Sequence, residues 1–216
     1  MENFQIFLQS LVLYSEGICA ITGLLYYNQL KNTFWKWFVW YCCLILASEL
    51  FSKFGLVYYP NYREVYFEYF GIPIQFLFLF WLFAKKSLQS KHLFIASLIV
   101  YFLSFIPHFF SQYQIKVVNS LNYTTGCFLL LIITIFEFKN QIRSEEILNF
   151  KSNKMFYINI GVILFYVGTL PFFAFYKTLY LNHEVVWDYY KTFFLCSVNL
   201  MYLLFAASFI WGKPTR

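Results

Sequence analysis

Seven stretches of the chain are apolar enough and long enough to be helices that cross a lipid bilayer: Phe4–Tyr27, Phe34–Phe54, Glu64–Ala84, His92–Phe110, Val117–Glu137, Met155–Tyr176 and Trp187–Trp211. A hydrocarbon layer about 30 Å thick needs roughly 20 such residues in a helix. Helices serve there because each satisfies its own backbone polar groups. A water-soluble fold cannot absorb this pattern: only 12% of the 216 residues are charged and 61% are hydrophobic, where a soluble domain carries about 25% charge. The expectation is an all-α, polytopic transmembrane helical bundle forming one domain over residues 1–216. The third and fourth stretches are the shortest and hold Pro73 and Pro107; proline is tolerated in a membrane helix when neighbours satisfy the freed carbonyl. The connections are short, and only Phe138–Lys154 has length for structure of its own.

Orientation follows from the basic residues, which favour cytoplasmic flanks. Lys31, Lys36, Lys85, Lys86, Lys91, Lys139, Arg143, Lys151, Lys154, Lys213 and Arg216 fall on one side of the seven-span scheme, and Lys53, Arg63, Lys116, Lys177 and Lys191 on the other. The N-terminus is therefore expected outside and the C-terminus in the cytoplasm. Trp35, Trp37, Trp40, Trp81 and Trp211 lie at the predicted inner ends, as a headgroup-level belt would. The opening Met-Glu-Asn-Phe has no basic residue, which argues against a cleaved signal peptide. The net charge of +6 sits between apolar runs rather than on a recognition helix, so no nucleic-acid partner is expected. The five cysteines fall inside apolar runs, with neither a metal-type spacing nor a loop-borne disulfide framework.

Polar residues inside spans are costly and tend to face the bundle interior, so each is a candidate for function. Glu16 lies near the middle of the first span, on one face with Gln9 and Gly23. Glu49 lies in the outer third of the second, with Lys53 one turn on as a local ion-pair partner. Glu68 and Gln75 flank Pro73 in the third; His108 joins Ser97, Ser104 and Ser111 in one stripe of the fourth, ending at the outer side; Asn119 and Asn122 lie in the outer half of the fifth. Tyr166 and Thr169 in the sixth share a face with Asn159, and Thr192 and Asn199 in the seventh with Asp188 and Cys196. Glu137, beside Lys139, reads as a solvated residue at the inner edge. Most of these candidates fall in the outer half, above inner halves rich in Phe, Leu, Ile and Trp. The geometry this suggests is a polar pocket open to the outside with Glu16 near its floor. Interhelical hydrogen bonding is the competing account of the same residues.

Catalytic constellations are absent from the sequence: it has no nucleophile elbow, phosphate loop or Cys/His dyad. Seven spans invite comparison with rhodopsins and receptors, but the middle of the last span has no lysine to hold retinal and the third lacks an acidic-Arg-aromatic triplet. Seven-span zinc hydrolases need several His and Asp; Glu49, Glu68 and His108 are the nearest approach to a metal site, and no metal or cofactor is expected. Asn159-Ile-Gly-Val-Ile-Leu-Phe-Tyr166-Val-Gly168-Thr-Leu-Pro171, with Asn199-Leu-Met-Tyr202 and the ending Ser208-Phe-Ile-Trp211-Gly-Lys, resembles small uncharacterised seven-span bacterial membrane proteins. The resemblance implies a multi-pass protein of the bacterial inner membrane and brings no activity with it.

The functional expectation is a non-enzymatic protein that binds a small molecule or lipid from the outer side, as a sensor or as an accessory subunit of a membrane or cytoplasmic signalling partner. A small-solute transporter or oligomeric ion channel is the alternative, and would need polar residues continuing to the inner side. A membrane-embedded lipid-modifying enzyme is the third reading.

Overall fold

The structure is a computed structural model that describes residues 2–56, 58–107, 120–144 and 146–213. It is all-helical: among the described residues the only extended pairing is an isolated bridge between Asn153 and Lys213. Seven main helices follow in order: α1 (Glu2–Leu25), α2 (Lys36–Gly55), α3 (Phe67–Ser87), α4 (Lys91–Leu103), α5 (Ser120–Arg143), α6 (Lys154–Ala174) and α7 (Glu184–Trp211). All but α4 are long and apolar enough to cross a membrane; α4 has 13 residues. The stretch expected to carry the fourth span on to Phe110 runs beyond Pro107 outside the described residues.

Neighbours in sequence pack against each other in alternating directions. Cys19 meets Cys42 and Gly23 meets Val39 between α1 and α2. Phe78 stacks on Tyr41 between α2 and α3, and Lys85 lies over Phe94 while Tyr69 stacks on Phe105 between α3 and α4. Ser104 bonds Asn122 at the start of α5, and Phe138 meets Phe156 between α5 and α6. Phe172 packs on Trp187 at one end of α6–α7, and Lys154 bonds Ser208 at the other. The ring closes through α1 and α7, which run parallel: Gln5 bonds Thr192, Ser15 bonds Asn199, and Gly23 lies under Phe209.

Two helices change their winding beside proline. Phe67–Gly71 and Ile163–Val167 are π-helical, and Pro73 and Pro171 follow them. A proline has no N–H to give to the carbonyl four residues back, and a widened turn is one way to absorb the interruption. Further π segments lie at Phe51–Gly55 and Trp81–Ser87. Two helix starts carry side-chain caps. The side chain of Ser90 accepts from the N–H of Leu93 before α4, and that of Asn153 from the N–H of Met155 before α6.

Glycine lets the helices approach closely. A Cβ at Gly126 would meet the ring of Phe76 at 2.6 Å, and one at Gly161 would meet Met201 and Phe205 at 3.3 Å. Close backbone approach through small residues is how membrane helices gain contact where lipid is as apolar as Leu. Trp35 departs from the expected belt. It is fully buried, while Trp37, Trp40 and Trp211 are exposed.

Candidate functional site

Each of the seven helices contributes a polar side chain to the centre of the bundle. Glu16 comes from α1, Tyr41 from α2, Gln75 from α3, Tyr101 from α4, Tyr123 from α5, Tyr166 from α6 and Tyr202 from α7. Tyr166 is the hub. Its hydroxyl donates to Oε1 of Gln75 at 2.6 Å and lies alongside that of Tyr41. The hydroxyls of Tyr101, Tyr123 and Tyr202 are within electrostatic range of it. Tyr202 also faces the Glu16 carboxyl, and Glu49 lies within range of that carboxyl. Lys53, the ion-pair partner that spacing offers to Glu49, is exposed.

The phenyl ring of Phe76 packs at the middle of this group, with ring centroids 5.3 Å from Tyr101, 5.6 Å from Tyr123 and 5.2 Å from Tyr166. Among the described residues, no hydrogen bond of good geometry reaches Glu16 Oε2 or the hydroxyls of Tyr101 and Tyr123, although Tyr202 lies beside the Glu16 carboxyl, Asn122 beside Tyr101, and Thr169 and Cys127 beside Tyr123. Native proteins leave few buried polar atoms in that condition, because each costs about 1–3 kcal/mol. Thr169, fully buried, lies beside the Tyr123 hydroxyl and donates to the Phe165 carbonyl. Asn122 accepts from Ser104 at 3.2 Å and lies beside Tyr101.

The candidates named from sequence thus divide. Glu16, Glu49, Gln75, Asn122, Tyr166 and Thr169 border the central group. Thr192 and Asn199 instead fasten α1 to α7. Gln5 Nε2 donates to Thr192 Oγ1 and to the Asp188 carbonyl, each at 3.1 Å, and Asn199 Nδ2 donates to the Leu8 and Leu195 carbonyls while its Oδ1 accepts from Ser15. That is the interhelical hydrogen bonding that competed with a pocket. Glu68 is half-buried in the π turn of α3. His108 and Asn119 lie outside the described residues. Among the described residues no three His, Cys, Asp or Glu side chains are grouped to hold a metal ion.

Three expectations are corrected. Gln9 is exposed, and Gln5, Ser15 and Cys19 join Glu16 and Gly23 on the buried face of α1. Cys196 is exposed and so does not share the buried face of Asn199. The half of the bundle expected to face the cytoplasm carries more buried polar side chains than its Phe, Leu, Ile and Trp content suggests. Thr134, Glu137 and Gln141 are buried along one face of α5, with Gln141 Nε2 donating to Glu137 Oε1 at 2.9 Å. Glu137 is therefore not a solvated edge residue. Asn159 in α6 is fully buried, with neither side-chain atom partnered among the described residues.

Four residues of the central group, Tyr41, Tyr101, Tyr123 and Tyr202, were not singled out by sequence reasoning. Their signal was position: each falls well inside a predicted span, where a hydroxyl needs a partner, rather than at an end, where tyrosine sits comfortably at the headgroups. Compared with known proteins, the chain matches no family, no curated protein and no solved structure.

Proposed function

We propose that the protein crosses the bacterial inner membrane seven times, with its N-terminus outside, and binds a small molecule or lipid-derived ligand at the central tyrosine group as a sensor or accessory subunit. The parallel packing of α1 and α7 supports the odd number of crossings, since an even number would set the first and last helices antiparallel. The 11-to-5 division of Lys and Arg supports the orientation.

The observation that carries the binding reading is the set of buried polar atoms, Glu16 Oε2 and the Tyr101 and Tyr123 hydroxyls, that no well-formed hydrogen bond among the described residues satisfies, gathered around the Tyr166–Gln75 bond. Together they offer two phenol donors and a carboxyl group in a confined apolar setting, the make-up of a small-molecule site. π turns, which often mark functional sites, lie at both Tyr166 and the approach to Gln75. The test is solvent extraction of the purified protein and mass spectrometry of what is released. A compound should be enriched with the wild type and lost from a Tyr101→Phe/Tyr123→Phe variant that folds normally. Identical extracts from both would defeat the reading.

A transporter or channel is the second reading. It is favoured by Thr134, Glu137, Gln141 and Asn159, which continue buried polar groups into the inner half. Ion flux through reconstituted liposomes, abolished by Glu16→Leu, would support it over a closed receptor.

A further inference from the structure

We propose that the end of α5 carrying Lys139 and Arg143 holds an anionic phospholipid. An open groove of about 500 Å³ runs along this part of the helix, lined by Ile135, Phe138, Lys139, Ile142 and Arg143. Along the helix axis the lining runs from the apolar Ile135 and Phe138 to the basic Lys139 and Arg143, with Ile142 between the two cations. Ile135 and Phe138 are apolar and lie deeper in the span, and Ile142 is 63% exposed. Lys139 and Arg143 are four residues apart, hence on one face, and both are exposed. Among the described residues, neither acidic nor neutral polar side chains share the lining.

The charge pattern selects the occupant. A neutral lipid would satisfy the apolar wall and leave two cations facing its headgroup. A phosphatidylglycerol-type lipid places a net negative phosphodiester beside them while its acyl chain covers Ile135, Phe138 and Ile142. Arginine is suited to phosphate because its planar fork gives two parallel N–H donors. Basic pockets at the cytoplasmic side of membrane helices recognise acidic headgroups by this combination. The site requires only that α5 lie in a membrane. It is independent of the central tyrosine group, and it makes α5 the element through which lipid composition reaches the bundle.

The test is native mass spectrometry of the full-length protein in mild detergent, titrated with phosphatidylglycerol or phosphatidylcholine of the same acyl chains. Wild type should retain phosphatidylglycerol roughly tenfold better. Lys139→Gln/Arg143→Gln should abolish that preference. Lys31→Gln/Lys36→Gln, which removes the same charge elsewhere, should keep it. Both pairs are changed at residues outside the packed core, and an unaltered melting temperature confirms their folds. The proposal is overturned if wild type shows no preference, if the α5 pair leaves it intact, or if the control pair removes it equally.

Discussion

The Tyr166 hydroxyl donates to Oε1 of Gln75 at 2.6 Å, tying α6 to α3 across the centre of the bundle. Tyr166→Phe removes the donor and keeps the ring packed against Phe76. Interhelical hydrogen bonds in membrane proteins average about 0.6 kcal/mol and reach about 1.7. A loss within that range is expected on reversible unfolding in mixed micelles. Because Gln75→Leu removes the other partner, the double variant should be less destabilised than the two single losses added together. Strict additivity would show that the two side chains are not energetically coupled.

Phe76 and Gly126 make a second pair whose fit is steric. The ring occupies the space that any Cβ at position 126 would need, with three of its carbons at 2.6–2.7 Å from that point. Gly126→Ala should therefore destabilise by about 1–3 kcal/mol, the usual cost of overpacking. Adding Phe76→Leu should recover part of that loss by opening room beside Tyr101 and Tyr123. If the double variant is as unstable as the sum of its parts, the clash is not the cause. Thermal unfolding followed by tryptophan fluorescence would measure all three.

What the sequence made legible depended on length scale. A run of about 20 apolar residues identifies a membrane helix by itself, so the long helices could be located without a structure. Pro73 and Pro171 each sit just after a π turn, where a missing N–H is a local fact, whereas the π segments at Phe51–Gly55 and Trp81–Ser87 have no proline to announce them. Helix partners are not local. Gln75 and Tyr166 could each be flagged, but their bond requires α3 and α6 to meet inside the ring. Thr192 and Asn199 looked like pocket residues on periodicity, and only the parallel contact of α1 with α7 reveals them as fasteners. Tyr41, Tyr101, Tyr123 and Tyr202 were hidden among nineteen tyrosines, since an amphipathic ring suits both a headgroup region and a hydrogen-bonded interior. Glu137 misled because its sequence neighbour Lys139 suggests solvent, whereas the rotation of α5 buries Glu137 and exposes Lys139.

At the other end of the bundle, Lys154 acts as a clasp. It is almost wholly buried, its Nζ donates to the Ser208 carbonyl at 2.9 Å, and it lies 5.8 Å from the centre of the Phe209 ring. A cation near the end of α7 also complements the helix dipole. The chain beyond α7 is held by the same corner: the Lys213 N–H donates to the Ser152 carbonyl at 2.7 Å, and a Cβ at Gly212 would run into Lys154 Cγ. Lys154→Met keeps the length of the side chain and removes the donor. It should cost about 0.5–1.5 kcal/mol, the net worth of one hydrogen bond, because the Ser208 carbonyl still accepts from the Gly212 N–H. Gly212→Ala should detach the terminal segment and raise proteolysis at Lys213, with little effect on Tyr101 or Tyr123. Unchanged cleavage at Lys213 would mean that Gly212 is not required for the docking.

Topology gives the sharpest test, because α4 decides it. The alternating contacts of α3, α4 and α5 place residues 87–90 and Pro107 at opposite ends of α4. If α4 crosses the membrane, single cysteines at Ser87 and Ser111 should label from opposite sides in intact cells, Ser87→Cys from within and Ser111→Cys from outside. The background must first be cleared of Cys19, Cys42, Cys43, Cys127 and Cys196, all of which are free thiols and one of which, Cys196, is exposed. A membrane-impermeant maleimide then reads the sidedness directly. Labelling of both positions from one side would make α4 re-entrant. The remaining spans would then reverse, α1 and α7 could not both run in the same direction across the membrane, and the parallel bonds from Gln5 to Thr192 and from Ser15 to Asn199 would have to be abandoned with the seven-span reading.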